Sequence, residues 1–365
     1  MNNRLLKLLG MIFAFAMIAA ACGSTVDSAT DAVEEVTDAA DGESSAEEAE
    51  EPAEAEDDAV EEISAERGNV AYFSYANFNG FSQGIWTGVQ AGADEAGIGA
   101  EIFDGAFDFS GETQAQQIQN ATLSGDFDTF VISSNNGAAI TPAVEEAIAA
   151  GISVVAVFSP IGPDQLTLDP QIDGLIFAGS SVIGAIEDQA DLAILACEGI
   201  DPCNVSYLIG EPTLDIDVTR TAEFERILSA EPNVNLVESV RGGYTVEDGQ
   251  AGADGVFLAN DQIDVMVGSA QAILGAEQSA INAGIEGVAF IGGGSPTQAV
   301  EAVREGRWFG LQIDRTADWG QLAVEVAGEQ LAGENPEPSV DLDEIGDFET
   351  VTQETIGDFE GQWTN

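Results

Sequence analysis

From residue 69 onward the sequence alternates short apolar runs with segments of helical period, and this alternation restricts its possible folds more than any other feature. The run 70–73, VAYF, has the length and composition of a buried strand. A polar and aromatic loop over 74–80 follows, then a helix in which Phe81, Ile85 and Val89 recur at i, i+4 and i+8 as one buried stripe. Further strands are expected at 100–103, 128–133 and 152–158, with helices at 114–123 and around Ile140, Val144, Ala147 and Ile148, the last closed by Gly151. The near-continuous apolar run 152–158 suits a strand buried on both faces of a parallel sheet.

The pattern restarts near Asp173. Strands are expected at 174–178, 205–209, 234–240, 263–267, 288–291, 308–313 and 351–356. The helices between them fall from Val182 and at 219–228, 246–258, 270–283 and 316–331, with a capping box at Ser295 opening one more. One small sheet cannot hold so many strands. The expected fold class is α/β, with two similar doubly wound parallel-sheet lobes. Open sheets of this kind bind ligands at the carboxyl ends of their strands, which puts the 74–80 loop at a cleft.

Charge narrows the function. The chain carries 66 acidic residues against 9 basic ones, a net charge of -57, one lysine at Lys7 and no histidine. Nucleic acid is excluded as a partner, since phosphate backbones are neutralised by Lys and Arg. The absence of histidine removes the commonest general base and zinc ligand. With no dinucleotide, phosphate-loop or nucleophile-elbow motif and no metal-ligand cluster, the expectation is a non-enzyme without metal or cofactor.

Arg4 and Lys7 precede an apolar run over 8–21, suited to a signal-peptide core and too short for a mature membrane span. Ala19-Ala20-Ala21-Cys22 resembles a bacterial lipoprotein cleavage box, with residues 1–21 removed and Cys22 lipidated; cleavage after an Ala-x-Ala is the alternative. Residues 22–67 form an acidic linker, with 18 acidic residues between positions 23 and 66, expected to stay extended and disordered. In an oxidising space Cys197 and Cys203 are expected to form a local disulfide, with two buried free thiols as the alternative.

The folded part resembles the type I periplasmic binding proteins, in the ribose-like branch that serves ABC sugar importers. The resemblance rests on Asn79-Gly80-Phe81, Gln116-Gln117-Ile118, Pro142-Ala143-Val144 and the run 150–155. In the second half it rests on Arg220 with Phe224, the run 273–276 and Gly306. It implies an N-terminal lobe of 68–179 plus 315–343, a C-terminal lobe of 180–314 plus 344–365, and a three-strand hinge with crossings near 180–181 and 314–315. It further implies a monomeric, exported, lipid-anchored receptor whose partners are a small ligand and the permease and ATPase of an importer. A sensor for signalling or chemotaxis is the alternative.

The chain departs from the family where sugars are usually clamped. An Asp-Arg pair is replaced by Phe158-Ser159, an arginine by Val218, an Asn-Asp by residues of the 268–270 stretch, and an acidic residue by Gly294. The ligand-binding residues expected here are Tyr75, Asn79, Phe81, Ser133, Asn135, Phe158, Ser159, Arg220, Ser269, Gln271 and Asp314. Further aromatic faces are offered by Phe78, Phe107, Phe109 and Trp308, and negative field by Asp104, Asp108, Asp215 and Asp217. Arg220 also suits a structural ion pair and Phe158 a core position. This balance favours a ligand that is not strongly anionic and is less polar than a pentose, such as a deoxy sugar, polyol or heterocycle. The acidic surface points to a saline habitat. The melting temperature is therefore expected to rise as salt approaches 1 M, where the screening length falls to about 3 Å; a thermal melt indifferent to salt would contradict this.

Overall fold

The computed structural model describes residues 68–104, 109–341 and 349–365. The signal segment, Cys22, the acidic linker, Phe107, Asp108 and the expected boundary at 343–344 lie outside the described residues.

The first sheet has the order β11-β5-β4-β3-β1-β2, all parallel. Its strands are β1 (Asn69–Phe73), β2 (Ala100–Phe103), β3 (Phe127–Ile132), β4 (Ser153–Val157), β5 (Ile176–Gly179) and β11 (Ser339–Asp341). The second has the order β12-β10-β9-β8-β6-β7, from β6 (Cys203–Ile209), β7 (Val234–Arg241), β8 (Val265–Ser269), β9 (Ala289–Gly293), β10 (Gly310–Gln312) and the antiparallel edge strand β12 (Thr350–Thr352). Successive residues of β1 face opposite sides. Val70 and Tyr72 enter one core with α1 (Gly80–Ala96) and α9 (Thr316–Leu331), while Ala71 and Phe73 enter another with α2 (Gly111–Ser124) and α3 (Gly137–Ala149). Both faces are covered, as the apolar runs require.

The second sheet carries α4 (Val182–Ala196), α5 (Asp215–Leu228), α6 (Val246–Ala259), α7 (Ala270–Ala283) and α8 (Thr297–Arg304). The chain passes between the sheets after β5 and again after β10, and the connection from β11 to β12 runs through residues outside those described. Cys197 caps α4 and is disulfide-bonded to Cys203 at the start of β6, their Cα atoms 5.6 Å apart. Among the described residues no helix is long and apolar enough to cross a membrane.

Some expectations shift. The helix expected from 219 starts at Asp215, whose carboxylate lies with that of Asp217 in the first turn, where the helix dipole favours negative charge. The strand expected over 308–313 shortens to β10. Ser295 caps nothing: its hydroxyl donates to Asp314 O at 2.7 Å, and α8 starts after Pro296 without a side-chain cap.

Phe81, Ile85 and Val89 do not form one uniformly buried stripe, since Phe81 is only partly buried. A second row on α1, Gly80, Gly84, Gly88 and Gly92, recurs every four residues and faces α9 and the C-terminal segment. A Cβ on Gly88 would overlap Ala317 O, and one on Gly320 of α9 would overlap Ile85 O. Each glycine forgoes about 1 kcal/mol of helix propensity relative to alanine, offset by backbone-to-backbone approach of the two helices. Gly88→Ala is expected to lower unfolding free energy by about 1–3 kcal/mol despite its better propensity, as measured by urea denaturation.

Candidate ligand-binding site

The two sheets turn their carboxyl ends toward a shared cavity of about 730 Å³, part of it open to solvent.

One wall comes from the loops after β1 and β4. Asn79 caps α1, its side-chain oxygen accepting from Phe81 N at 2.8 Å, and this fixes the turn that carries Phe81. Tyr75 donates its hydroxyl to Ser159 Oγ at 2.5 Å, and Ser159 donates onward to Ser134 O at 3.1 Å. Between them Phe158 sits at φ 69° in a three-residue turn closed by Ser159 N to Val157 O at 2.9 Å. A bulky side chain seldom occupies this region, and such strain is tolerated where the surroundings over-determine it. Here they do: the Phe158 ring stacks on Trp319 at 5.3 Å and meets Phe81 edge-on at 4.8 Å. Phe109, the other non-glycine residue with positive φ among the described residues, also lines the cavity.

The opposite wall is polar. The Arg220 guanidinium lies 4.8 Å from the centre of the Phe158 ring and 3.8 Å from Asp217 Oδ1. Asp217 accepts from Tyr244 Oη at 2.6 Å and from Glu211 N at 2.7 Å. Asp314 accepts from Gln312 Nε2 at 2.9 Å. Burial pushes Asp217 above the usual carboxylate range, with Arg220 opposing the shift. Burial works against the charge on Arg220, but the carboxylates of Asp217 and Asp314 oppose it and help keep the guanidinium protonated. Burial likewise drives Tyr75, Tyr207 and Tyr244 above the ordinary phenol value, so the cavity presents neutral hydroxyls. The walls touch directly where Gln271 Nε2 reaches Asn79 Oδ1 at 3.4 Å and Asn136 Nδ2 reaches Asp215 Oδ1 at 3.3 Å.

Of the expected residues, Tyr75, Asn79, Phe81, Phe158, Arg220, Ser269, Gln271 and Asp314 line the cavity. Ser133, Asn135 and Ser159 stand behind its wall. Ser133 Oγ pairs with Tyr72 Oη at 3.1 Å, and Asn135 Nδ2 donates to Tyr75 O at 3.3 Å, so these residues brace the loop that carries Tyr75. Asp217 and Phe109 are on the lining. Trp308 is not: it is packed in the second lobe's core, its Nε1 donating to Glu277 Oε2 at 3.0 Å. Phe78 is 46% exposed, Asp104 accepts from Asn77 N, and Asp215 bridges to Asn136. Arg220 makes the ion pair considered for it and Phe158 takes the core position considered for it, and both also line the cavity.

Sequence reasoning missed Gln189, Tyr207, Tyr244, Gln312 and Trp363. Tyr207 had a signal, a polar-tipped ring within the apolar run of β6; Trp363 had none.

An aromatic wall facing hydrogen-bonding groups across an interlobe cleft defines a two-lobed binding protein. Over residues 70–335 the chain matches the family described as "Periplasmic binding protein domain", and it belongs to that family. It is therefore a solute-binding protein and not an enzyme. Similar solved structures share the fold. One is an ABC transporter periplasmic solute-binding protein from Actinobacillus succinogenes 130z with bound D-allose (TM-score 0.70, 18% identity, 80% of this chain and 100% of that one). A second, from Mycobacterium smegmatis, is in complex with β-D-fucofuranose (0.68, 20%, 79% and 92%). A third is the binding protein of the arabinose ABC transporter from Shewanella sp. ANA-3, bound to α- and β-L-arabinofuranose (0.67, 20%, 79% and 93%). No curated protein sequence matches the chain.

Arg220→Met leaves Asp217 buried without its cation, and is expected to cost about 3 kcal/mol of unfolding free energy in urea. Adding Asp217→Asn should restore part of that loss.

Proposed function

We propose that this protein is an extracytoplasmic receptor that captures a small uncharged polyhydroxylated solute, a sugar or sugar-like compound, and delivers it to an ABC importer. The observation that carries this reading is the cavity itself. Aromatic faces from the first lobe oppose Arg220, Gln189, Gln271 and Asp314 from the second, the combination that grips a ring with one apolar face and several hydroxyls. Arg220 is already balanced by Asp217 and Asp314, so a phosphorylated or carboxylated ligand gains little there. The sugars bound by the similar solved structures support the same class of ligand.

In this reading the lobes are residues 68–179 with 315–343 and 180–314 with 344–365, hinged near 180–181 and 314–315. Ligand contacts made by both walls favour the closed arrangement. The partners are a permease and an ATPase. Lipid on Cys22 and the acidic segment 22–67 hold a monomeric receptor at the membrane surface; Cys22→Ser should move the protein from the membrane fraction to the soluble one.

Calorimetry and thermal melts with D-allose, L-arabinose and glycerol test the ligand class. At a concentration about 100-fold over Kd a true ligand adds about 2.7 kcal/mol of stability, and a chain unmoved by any sugar or polyol contradicts the reading. Because the cavity tyrosines keep their protons above the ordinary phenol value, affinity should be flat from neutral pH up to about 9.5, below the ordinary phenol pKa.

A further inference from the structure

One residue on the cavity wall is supplied by neither a strand, a helix nor a loop that joins a strand to the following helix. Trp363 belongs to the segment 359–365, which leaves the second sheet after β12 and runs back past the start of α8. Its anchors to the second lobe are several. Arg304 Nη2 donates to Phe359 O at 2.6 Å, Thr297 N and Oγ1 donate to Trp363 O at 2.9 and 3.1 Å, and Gln298 exchanges two hydrogen bonds of 3.2 Å with Asn365.

The same segment also touches the first lobe. Ala317 N of α9 donates to Gln362 Oε1 at 2.9 Å, and Thr364 O lies against Gly80 at the start of α1, where a Cβ would collide with it. The indole of Trp363 sits between glycines of the two lobes. A Cβ on Gly80 would be 2.9 Å from Cε3, and one on Gly294 would be 3.4 Å from Cζ2. The ring is 5% exposed and lies 6.2 Å from Phe81, edge to face. Its Nε1 is buried and has no acceptor among the described residues. A buried indole N–H ordinarily has a partner, and here the cavity is beside it.

We propose that Trp363 is a specificity-determining residue of the cleft, carried on a strap over residues 359–365 that seats the indole against the ligand when the lobes are closed. The strap moves with the second lobe, to which most of its hydrogen bonds run, and meets α1 and α9 on closure. In the closed cleft the ring walls one side of the ligand and Nε1 donates to a ligand oxygen. This rests on the reading of the cleft as a solute site, and the test separates the two.

Affinities for D-allose, L-arabinose and glycerol are measured by calorimetry on the full chain, on Trp363→Phe and on Gly80→Ala. Trp363→Phe keeps a ring and loses the N–H, so the best-bound probe should bind about fivefold to tenfold more weakly, with a changed order of preference. Gly80→Ala pushes the strap off α1 without altering the tail, and should reproduce the loss. Wild-type affinities and order in both variants would overturn the proposal; should Trp363→Phe not fold, Gly80→Ala alone decides. If the unaltered chain binds none of the three probes, the sugar reading fails, and hydrogen exchange judges the strap. The Ala317 amide must lose protection in a chain ending at Gly361, and unchanged protection there overturns the strap.

Discussion

The contact on which the rest of the structure depends is the meeting of α1 and α9 through their glycines. Helix α9 begins where the chain returns from the second sheet, so its seat on α1 sets where that return enters the first lobe. It also places Trp319 under Phe158 and Phe81, and through them the aromatic wall. A side chain larger than hydrogen at Gly84 or Gly88 would part the helices and carry the wall with them. Backbone contact of this kind is stiff, because close-packed interiors do not absorb a displaced atom without moving others. In the proposed reading, this keeps the aromatic wall in place when the lobes close on a ligand.

Against a net charge of -57, the cleft concentrates a different electrostatic arrangement. One buried arginine is shared by Asp217, Asp314 and the face of Phe158. A lone buried guanidinium would be costly, as would either carboxylate alone. Together they form a buried polar floor in which one cation lies between two acidic residues. The strained turn at Phe158 belongs to the same design. It turns the ring back over the guanidinium, and the stack with Trp319 holds it there.

The alternation of apolar runs and helical segments made the two-lobed α/β class legible, because period and length are local properties of sequence. Much of the cavity was legible too, since loops after strands are where such folds keep their polar groups. What the sequence hid was long-range. Ser133, Asn135 and Ser159 lie at strand ends as the pattern predicts, yet their hydrogen bonds turn them toward Tyr72, Tyr75 and Ser134 and away from the cavity. Trp308 precedes β10 and lies in the core of the second lobe, where Glu277 accepts its N–H. The glycine row of α1 is invisible to a hydrophobic stripe that runs beside it. At Gly294, where the family resemblance implies an acid, the space beside the backbone is shared by the Asp314 carboxylate and the Trp363 indole, 20 and 69 positions further along, and no local pattern announces that.

Residues 359–365 contain no helix or strand. They nonetheless reach the wall of the cavity through Trp363. In the proposed reading, where Trp363 meets the ligand, drift in residues 359–365 retunes what the site accepts while both sheets stay as they were.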